Sequence, residues 1–281
     1  MNTYYSVEHI LSGWHQSEIK QYSLNQIPEV LYRMKRRELS REQLTEIISV
    51  RYQAAHFFED MLREIMRVVD AGTYRGNQCP ITPEVMVELR KAAALNLSEE
   101  LGEVKEYGGP HREGREVLLT SLGVDYAKWQ STLGSYENIG DIDENAKWLV
   151  SRMRWIIQHG AIEAIAALWY YENRISLDHV YGDYHLLLHA FEEKFPEFKK
   201  PGSTYHEGDP LWHIYSHADH DEHHANLAKQ SLLVMQPPGL WPDSIVFGLR
   251  ESSKAIDYFW CGLSERFFGR FNSKDHWEYE D

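Results

Sequence analysis

His217, Asp221 and His224 stand at positions i, i+4 and i+7 of the segment LWHIYSHADHDEHHANLAKQ, residues 211–230. On an α-helix that spacing sets two imidazoles and a carboxylate along one stripe. Such a donor set suits iron, manganese or zinc held between helices. The other histidines read differently. His220 and His223 lie off the stripe, and His213 sits just ahead of the helical pattern. All three are expected to face solvent or to support the ligands from behind. A histidine-rich polar face with no metal has the same composition, and three ligands do not complete a site. Other segments must contribute.

Two segments offer donors. In AAALNLSEELGEVKEYGGPHREGREVLL, residues 92–119, Glu99, Glu100 and Glu103 supply carboxylates close to a helix end, and His111 follows Gly108-Gly109-Pro110. Acids in a last helical turn oppose the macrodipole and ask for a compensating charge. In GAIEAIAALWYYENRIS, residues 160–176, Glu163 and Glu172 interrupt an apolar run. Nine residues apart they fall on roughly opposite helix faces, so at most one faces a given site. Glu172, beside Trp169, Tyr170 and Tyr171, needs a cation or a hydrogen-bond network if buried. A surface pair with Arg174 is the plainer alternative.

Composition narrows the class. The chain has 281 residues, 43% of them hydrophobic and 13% aromatic, enough for one large core. Its net charge is −14 with no sustained basic run, so neither nucleic acid nor an anionic membrane is expected as a partner. Cys79 and Cys261 lack a metal-type spacing and fit a reducing compartment. The first residues lack the pattern of a signal peptide, and no run approaches the ~20 apolar residues of a membrane span. The expectation is a cytoplasmic globular protein.

Helical periodicity accounts for the elements that must position these residues. Ser40-Arg-Glu-Gln43 has capping-box spacing and opens a helix over 40–70. Thr82-Pro83 starts another that runs to about 106, and a new one begins near His111. The longest pattern covers about 143–175, followed by helices over 177–195, through the histidine segment, and over about 242–270. No period-2 run is long enough for a strand. The pattern predicts an all-α bundle of seven or eight helices. Residues 1–39 read as an N-terminal extension, with Tyr4, Tyr5, Ile10, Leu11 and Trp14 forming an apolar stripe that packs on the bundle. Residues 40–271 form the main domain and 272–281 an exposed acidic tail.

Taken in order, these motifs resemble the haem-oxygenase-like dimetal oxidases. NLSEELG before a histidine resembles the family's first ligand pair and carries over to Glu100 and His111. ALWYYENRIS resembles its middle motif and carries over to Glu172. His-x3-Asp-x2-His matches His217, Asp221 and His224, and ESSKAIDYFWCGLSERF resembles the closing helix. The likeness covers roughly residues 42–270. It implies a single bundle of about seven core helices holding two Fe(II) ions without haem, with Glu100 or Glu172 bridging. It also implies dioxygen as co-substrate and a small-molecule substrate, and leaves an external electron donor open; helical bundles of this size often form homodimers through an exposed apolar face, so oligomeric state is open too.

The resemblance leaves alternatives. Glu103 competes with Glu100, and Glu59, Asp60 or Glu64 would supply an extra carboxylate. The family oxidises small amino acids or fatty acids by N-oxygenation, desaturation or oxidative C–C cleavage, often in biosynthesis. The polar interruptions of the helices favour an amino acid, whose carboxylate would be clamped by Arg115, Arg152, Arg154 or Arg174. Trp169, Tyr170, Phe57 and Phe58 would line the pocket. A thiaminase-type enzyme on the same bundle would need a nucleophilic cysteine, and neither cysteine has a suitable histidine nearby. A non-catalytic helical protein storing one metal is the third reading.

Overall fold

Short polar side chains start the helices that the sequence marks with caps. The computed structural model describes residues 6–72, 82–104, 109–177, 180–234 and 241–269, the side chains of His220 and Trp241 excepted. Ser6 accepts from the His9 amide and opens α1 (Val7–Ser23), which α2 (Glu29–Lys35) follows. The capping box of Ser40 and Gln43 forms as expected at α3 (Arg41–Ala55). The chain then turns at His56-Phe57 into α4 (Phe58–Asp70), so the run over 40–70 is two helices. Thr82 caps α5 (Pro83–Glu100) with Pro83 in its first turn. Helix α5 stops six residues before the expected end. Gly102 takes φ +70, and a Cβ there would lie 2.6 Å from Pro110 N. That left-handed turn, open to glycine at little cost, brings the start of α6 (His111–Ser121) back beside the end of α5.

The short α7 (Tyr126–Ser131) leads to α8 (Glu144–His159), capped by Asp143. The single helix expected over 143–175 is broken: the backbone is extended at Gly160 and restarts as α9 (Ala161–Ser176). Helices α10 (Asp183–Lys194), α11 (Trp212–Leu233) and α12 (Trp241–Phe268) complete the series. The described residues hold twelve α-helices and, besides one isolated bridge between Gly134 and Ile139, no extended pairing. The class is all-α. The larger count reflects the two broken runs and short helices such as α2 and α7, whose length shows no period. No helix among the described residues is long and apolar enough to cross a membrane.

Every residue of α9 is buried. Helices α8, α11 and α12 surround it, with α4, α5 and α10 completing the shell. Each large apolar side chain buried there contributes roughly 1.5–3 kcal/mol. That sum offsets the cost of carrying Glu172, Asn173 and Arg174 into the interior. Arg174 is surrounded by acids, although its Nε makes no hydrogen bond. It donates to Glu18 of α1 at 3.0 Å, lies 3.6 Å from Asp257 and stacks 4.4 Å above the Tyr22 ring. Asp183 beside it accepts from Tyr22 Oη at 2.9 Å and Trp260 Nε1 at 2.7 Å. Through these contacts α1 is fastened to the core, with Leu11 buried and Ile10 and Trp14 packed against it. Tyr4, Tyr5, Cys79 and residues 272–281 lie outside the described residues, and Cys261 is buried and forms no disulfide among the described residues.

Candidate metal centre

All six residues of the expected ligand set are buried, and they converge between α5, α6, α9 and α11. Glu100 is the last residue of α5 and His111 the first of α6. The Gly102 turn between them sets His111 Nδ1 2.9 Å from Glu100 Oε1. Glu100 Oε1 is also 3.9 Å from His217 Nε2, and Arg115 donates to its other oxygen at 3.5 Å. His217 Nδ1 lies 2.9 Å from both oxygens of Asp221. Glu172 Oε2 lies 3.9 Å from His224 Nδ1 and its other oxygen accepts from Asn96 at 2.7 Å.

The donors divide into two groups. His111, His213 and His217 place one ring nitrogen each within 4.8 Å of one another; Glu172, Asp221 and His224 do the same. The His217–Asp221 contact joins the groups. His213 corrects the sequence reading, which set it outside the helix and in the background. Helix α11 begins at Trp212, so His213 is one turn before His217 on the same stripe, with no exposed surface. Tyr52 Oη holds its Nδ1 at 2.9 Å. Glu99 is the second residue that sequence reasoning set aside. Adjacent to Glu100 and equally buried, it bonds His224 Nε2. The i, i+4 spacing of His213 and His217 was the available signal for the first; for Glu99 nothing but its place in a crowded helix end spoke.

The alternatives resolve around this geometry. Glu103 is exposed, which leaves Glu100 as the acid in the centre. Glu59 and Asp60 pair with Arg63, and Glu64 with Arg67, so α4 sends no carboxylate inward. His223 is exposed and the His220 side chain lies outside the described set. Glu163 points elsewhere: both its oxygens are buried without a partner in the first turn of α9, where the helix dipole favours an acid. The four arginines proposed as substrate clamps are committed to other groups. Arg115 serves Glu100, Arg152 pairs with Glu251, Arg154 donates to the Tyr136 carbonyl at 3.0 Å, and Arg174 belongs to the α1 fastening.

Electrostatics distinguish the two groups. Burial raises the Glu100 carboxyl, but the His111 ring, His217 and Arg115 together outweigh it and hold it well below the usual carboxylate range. Burial followed by the Asp221 charge pushes Glu172 well up. Asp221 is held low because His217 and His224 outweigh its burial. Burial would lower His224, yet its contacts with Asp221 and Glu99 raise it well above the ordinary imidazole value. Burial, then the neighbouring His217, Arg115 and His111, push His213 well down, so it is a neutral imidazole.

The residues fit a metal. His111 Nε2, His213 Nε2 and His224 Nδ1 are buried and have no hydrogen-bond partner. His224 Nδ1 approaches Asp221 to 3.3 Å, but without hydrogen-bond alignment. Three orphaned ring nitrogens beside the buried carboxylates of Glu99, Glu100, Glu172 and Asp221 cost roughly 1–3 kcal/mol each while unsatisfied. Cations would satisfy all of them. Tyr52 and Asn96 already orient His213 and Glu172 in the way that supporting partners orient metal ligands.

No family model matches the chain, and no curated protein is detectably similar in sequence. Similarity appears at the level of structure. The crystal structure of a CADD-like protein of unknown function from Nostoc punctiforme aligns with a TM-score of 0.62 at 13% identity, covering 92% of this chain and 97% of that one. At that identity the likeness is one of fold, which this chain shares over nearly its whole length.

Proposed function

We propose that the chain is a non-haem diiron oxidase or oxygenase of the haem-oxygenase-like kind, acting with dioxygen on a small substrate, an amino acid rather than a fatty acid. One observation carries the reading: two abutting groups of three buried donors, with three ring nitrogens that have no partner in the protein. The order of the motifs and the fold shared with a CADD-like protein support it.

His111, His213 and His217 would hold one ion, and Glu172, Asp221 and His224 the other, with Glu100 facing His111 and His217. Ferrous ions bound there would supply electrons and open positions for dioxygen activation. The chain's own residues prepare the place. With Nδ1–H donating to the Tyr52 oxygen, neutral His213 keeps its Nε2 lone pair free. Asn96 fixes one oxygen of Glu172 and leaves the other toward His224. Arg115 balances the charge of Glu100. Ile162, Ile165 and Leu168 pack α9 tightly and exclude bulk water from its neighbourhood.

Anaerobic Fe(II) loading followed by mixing with oxygenated buffer tests the proposal. The expected result is about two irons per chain and a transient visible absorbance. A single tightly held zinc with no response to dioxygen, with or without amino acids, would replace this reading with that of a structural metal.

A further inference from the structure

What holds each histidine ring decides which of its nitrogens is left for an ion. His111 Nδ1 lies 2.9 Å from Glu100 Oε1, and His217 Nδ1 lies 2.9 Å from both oxygens of Asp221. An ionised carboxylate only accepts, so both rings donate from Nδ1 and carry their lone pair on Nε2. His213 has its Nδ1 taken in the same way, by Tyr52 Oη at 2.9 Å. The buried Nε2 atoms of His111 and His213 have no hydrogen-bond partner. His217 Nε2 stands 3.9 Å from Glu100 Oε1, beyond hydrogen-bond reach. These are the three rings whose nitrogens lie within 4.8 Å of one another.

His224 is turned the other way. Its Nε2 bonds Glu99, and its unpartnered Nδ1 faces Asp221 at 3.3 Å and Glu172 at 3.9 Å. The two groups are therefore unlike: one offers three imidazole nitrogens and no oxygen, the other two carboxylates and one nitrogen. Glu100 belongs to neither group. One of its oxygens takes the His111 ring and the other takes Arg115 at 3.5 Å, which balances its charge.

We propose that the Nε2 atoms of His111, His213 and His217 form a self-contained three-imidazole position that takes zinc or copper in preference to iron. Glu100, Tyr52 and Asp221 are its positioning residues. Rings that bind a metal through one nitrogen characteristically donate the other N–H to a carboxylate or another oxygen, which fixes tautomer and orientation. All three rings here have that partner. Imidazole suits borderline ions, whereas carboxylates suit hard ones. In the usual order for such donors, copper and zinc stand above ferrous iron. Zinc has no redox states. A chain holding zinc at this position keeps one place for iron and loses its dioxygen chemistry, so zinc is an inhibitor of the centre. The inhibition rests on the oxidase reading; the three-imidazole position does not.

Loading the metal-free full chain with copper, zinc and Fe(II) in turn provides the test. With Cu2+ supplied below one equivalent, electron paramagnetic resonance should show splitting from three nitrogens. Glu100→Ala should weaken zinc about tenfold to a hundredfold in chelator competition, the loss of an outer partner, while copper keeps its three nitrogens. His213→Ala should weaken zinc by more than that and leave two nitrogens on copper. Glu172→Gln should match the parent in both readings. One zinc per chain, bound first, should halve the iron then taken up anaerobically. Fewer than three nitrogens in the parent would overturn the proposal. So would zinc binding that survives His213→Ala and is lost in Glu172→Gln, or iron that displaces the zinc at equal concentration. Two irons with a visible transient, but no three-nitrogen copper, would leave the oxidase reading and end this one. Three-nitrogen copper in a chain whose iron-loaded form ignores dioxygen would do the reverse.

Discussion

Two buried polar clusters meet α9 two residues apart, and they have opposite character. Around Arg174, one cation faces Glu18, Asp183 and Asp257, and Tyr22 and Trp260 satisfy the oxygens of Asp183. Around Glu172, carboxylates and imidazoles outnumber the cations and three ring nitrogens are left without partners. The first cluster has its charge balanced by the protein's own groups, with Arg174 Nε the atom left without a hydrogen bond, and its product is the attachment of α1. The second is open to something the chain does not contain. Burial alone therefore does not mark a functional polar cluster; the balance between donors and acceptors does.

Substitutions should break the two clusters in different ways. His217→Ala or Asp221→Ala should reduce metal content from two ions per chain to one or none while the far-ultraviolet circular dichroism stays helical. A variant that still held two ions would show that the ligands are misassigned. Arg174→Met leaves Glu18 and Asp183 buried without their cation. It should destabilise the fold by about 3–5 kcal/mol in urea titrations, with the folded fraction still loading metal. Unchanged stability there would remove the distinction between fastening and receptor. Tyr52→Phe frees the His213 ring from its hydrogen bond and should weaken metal binding about tenfold to a hundredfold in chelator competition. An unaltered affinity would place His213 outside the ligand set.

Acidity sharpens the comparison further. Glu172 and His224 are both shifted upward, so each holds its proton to higher pH than an ordinary carboxyl or imidazole and must release it to become a ligand. His213 is shifted down and has no proton to lose. Metal affinity should therefore rise with pH. Calorimetry in buffers of different ionisation enthalpy should detect proton release. A pH-independent affinity would contradict the protonation states assigned to the carboxylate-rich group.

Much of this centre was legible because helical periodicity is a local property. His217, Asp221 and His224 follow from 3.6 residues per turn, and Glu172 from an acid placed in an apolar run. His213 was hidden by a boundary: Leu211 and Trp212 look like the tail of a loop, and one turn of error at a helix start moves a residue from background to ligand. Glu99 was hidden by degeneracy, since two successive acids at the end of α5 are both buried, one serving each group. The break at Gly160 was hidden because an apolar pattern continues across it on both sides. The arginine candidates failed for another reason. Their partners, such as Glu18 for Arg174 and Glu251 for Arg152, lie far away in sequence, and spacing carries no trace of long-range pairing.

Gly114 sets a mechanical tolerance on the whole arrangement. A Cβ at that position would lie 2.8 Å from the Trp212 ring and 2.9 Å from His213 Cβ, so α6 touches α11 through bare backbone. His111 lies one turn earlier on α6 and reaches the other histidines only because of that approach. The clearance of the centre is thus less than one methyl group. Anyone transplanting these ligands into another helical scaffold must transplant the missing side chain with them.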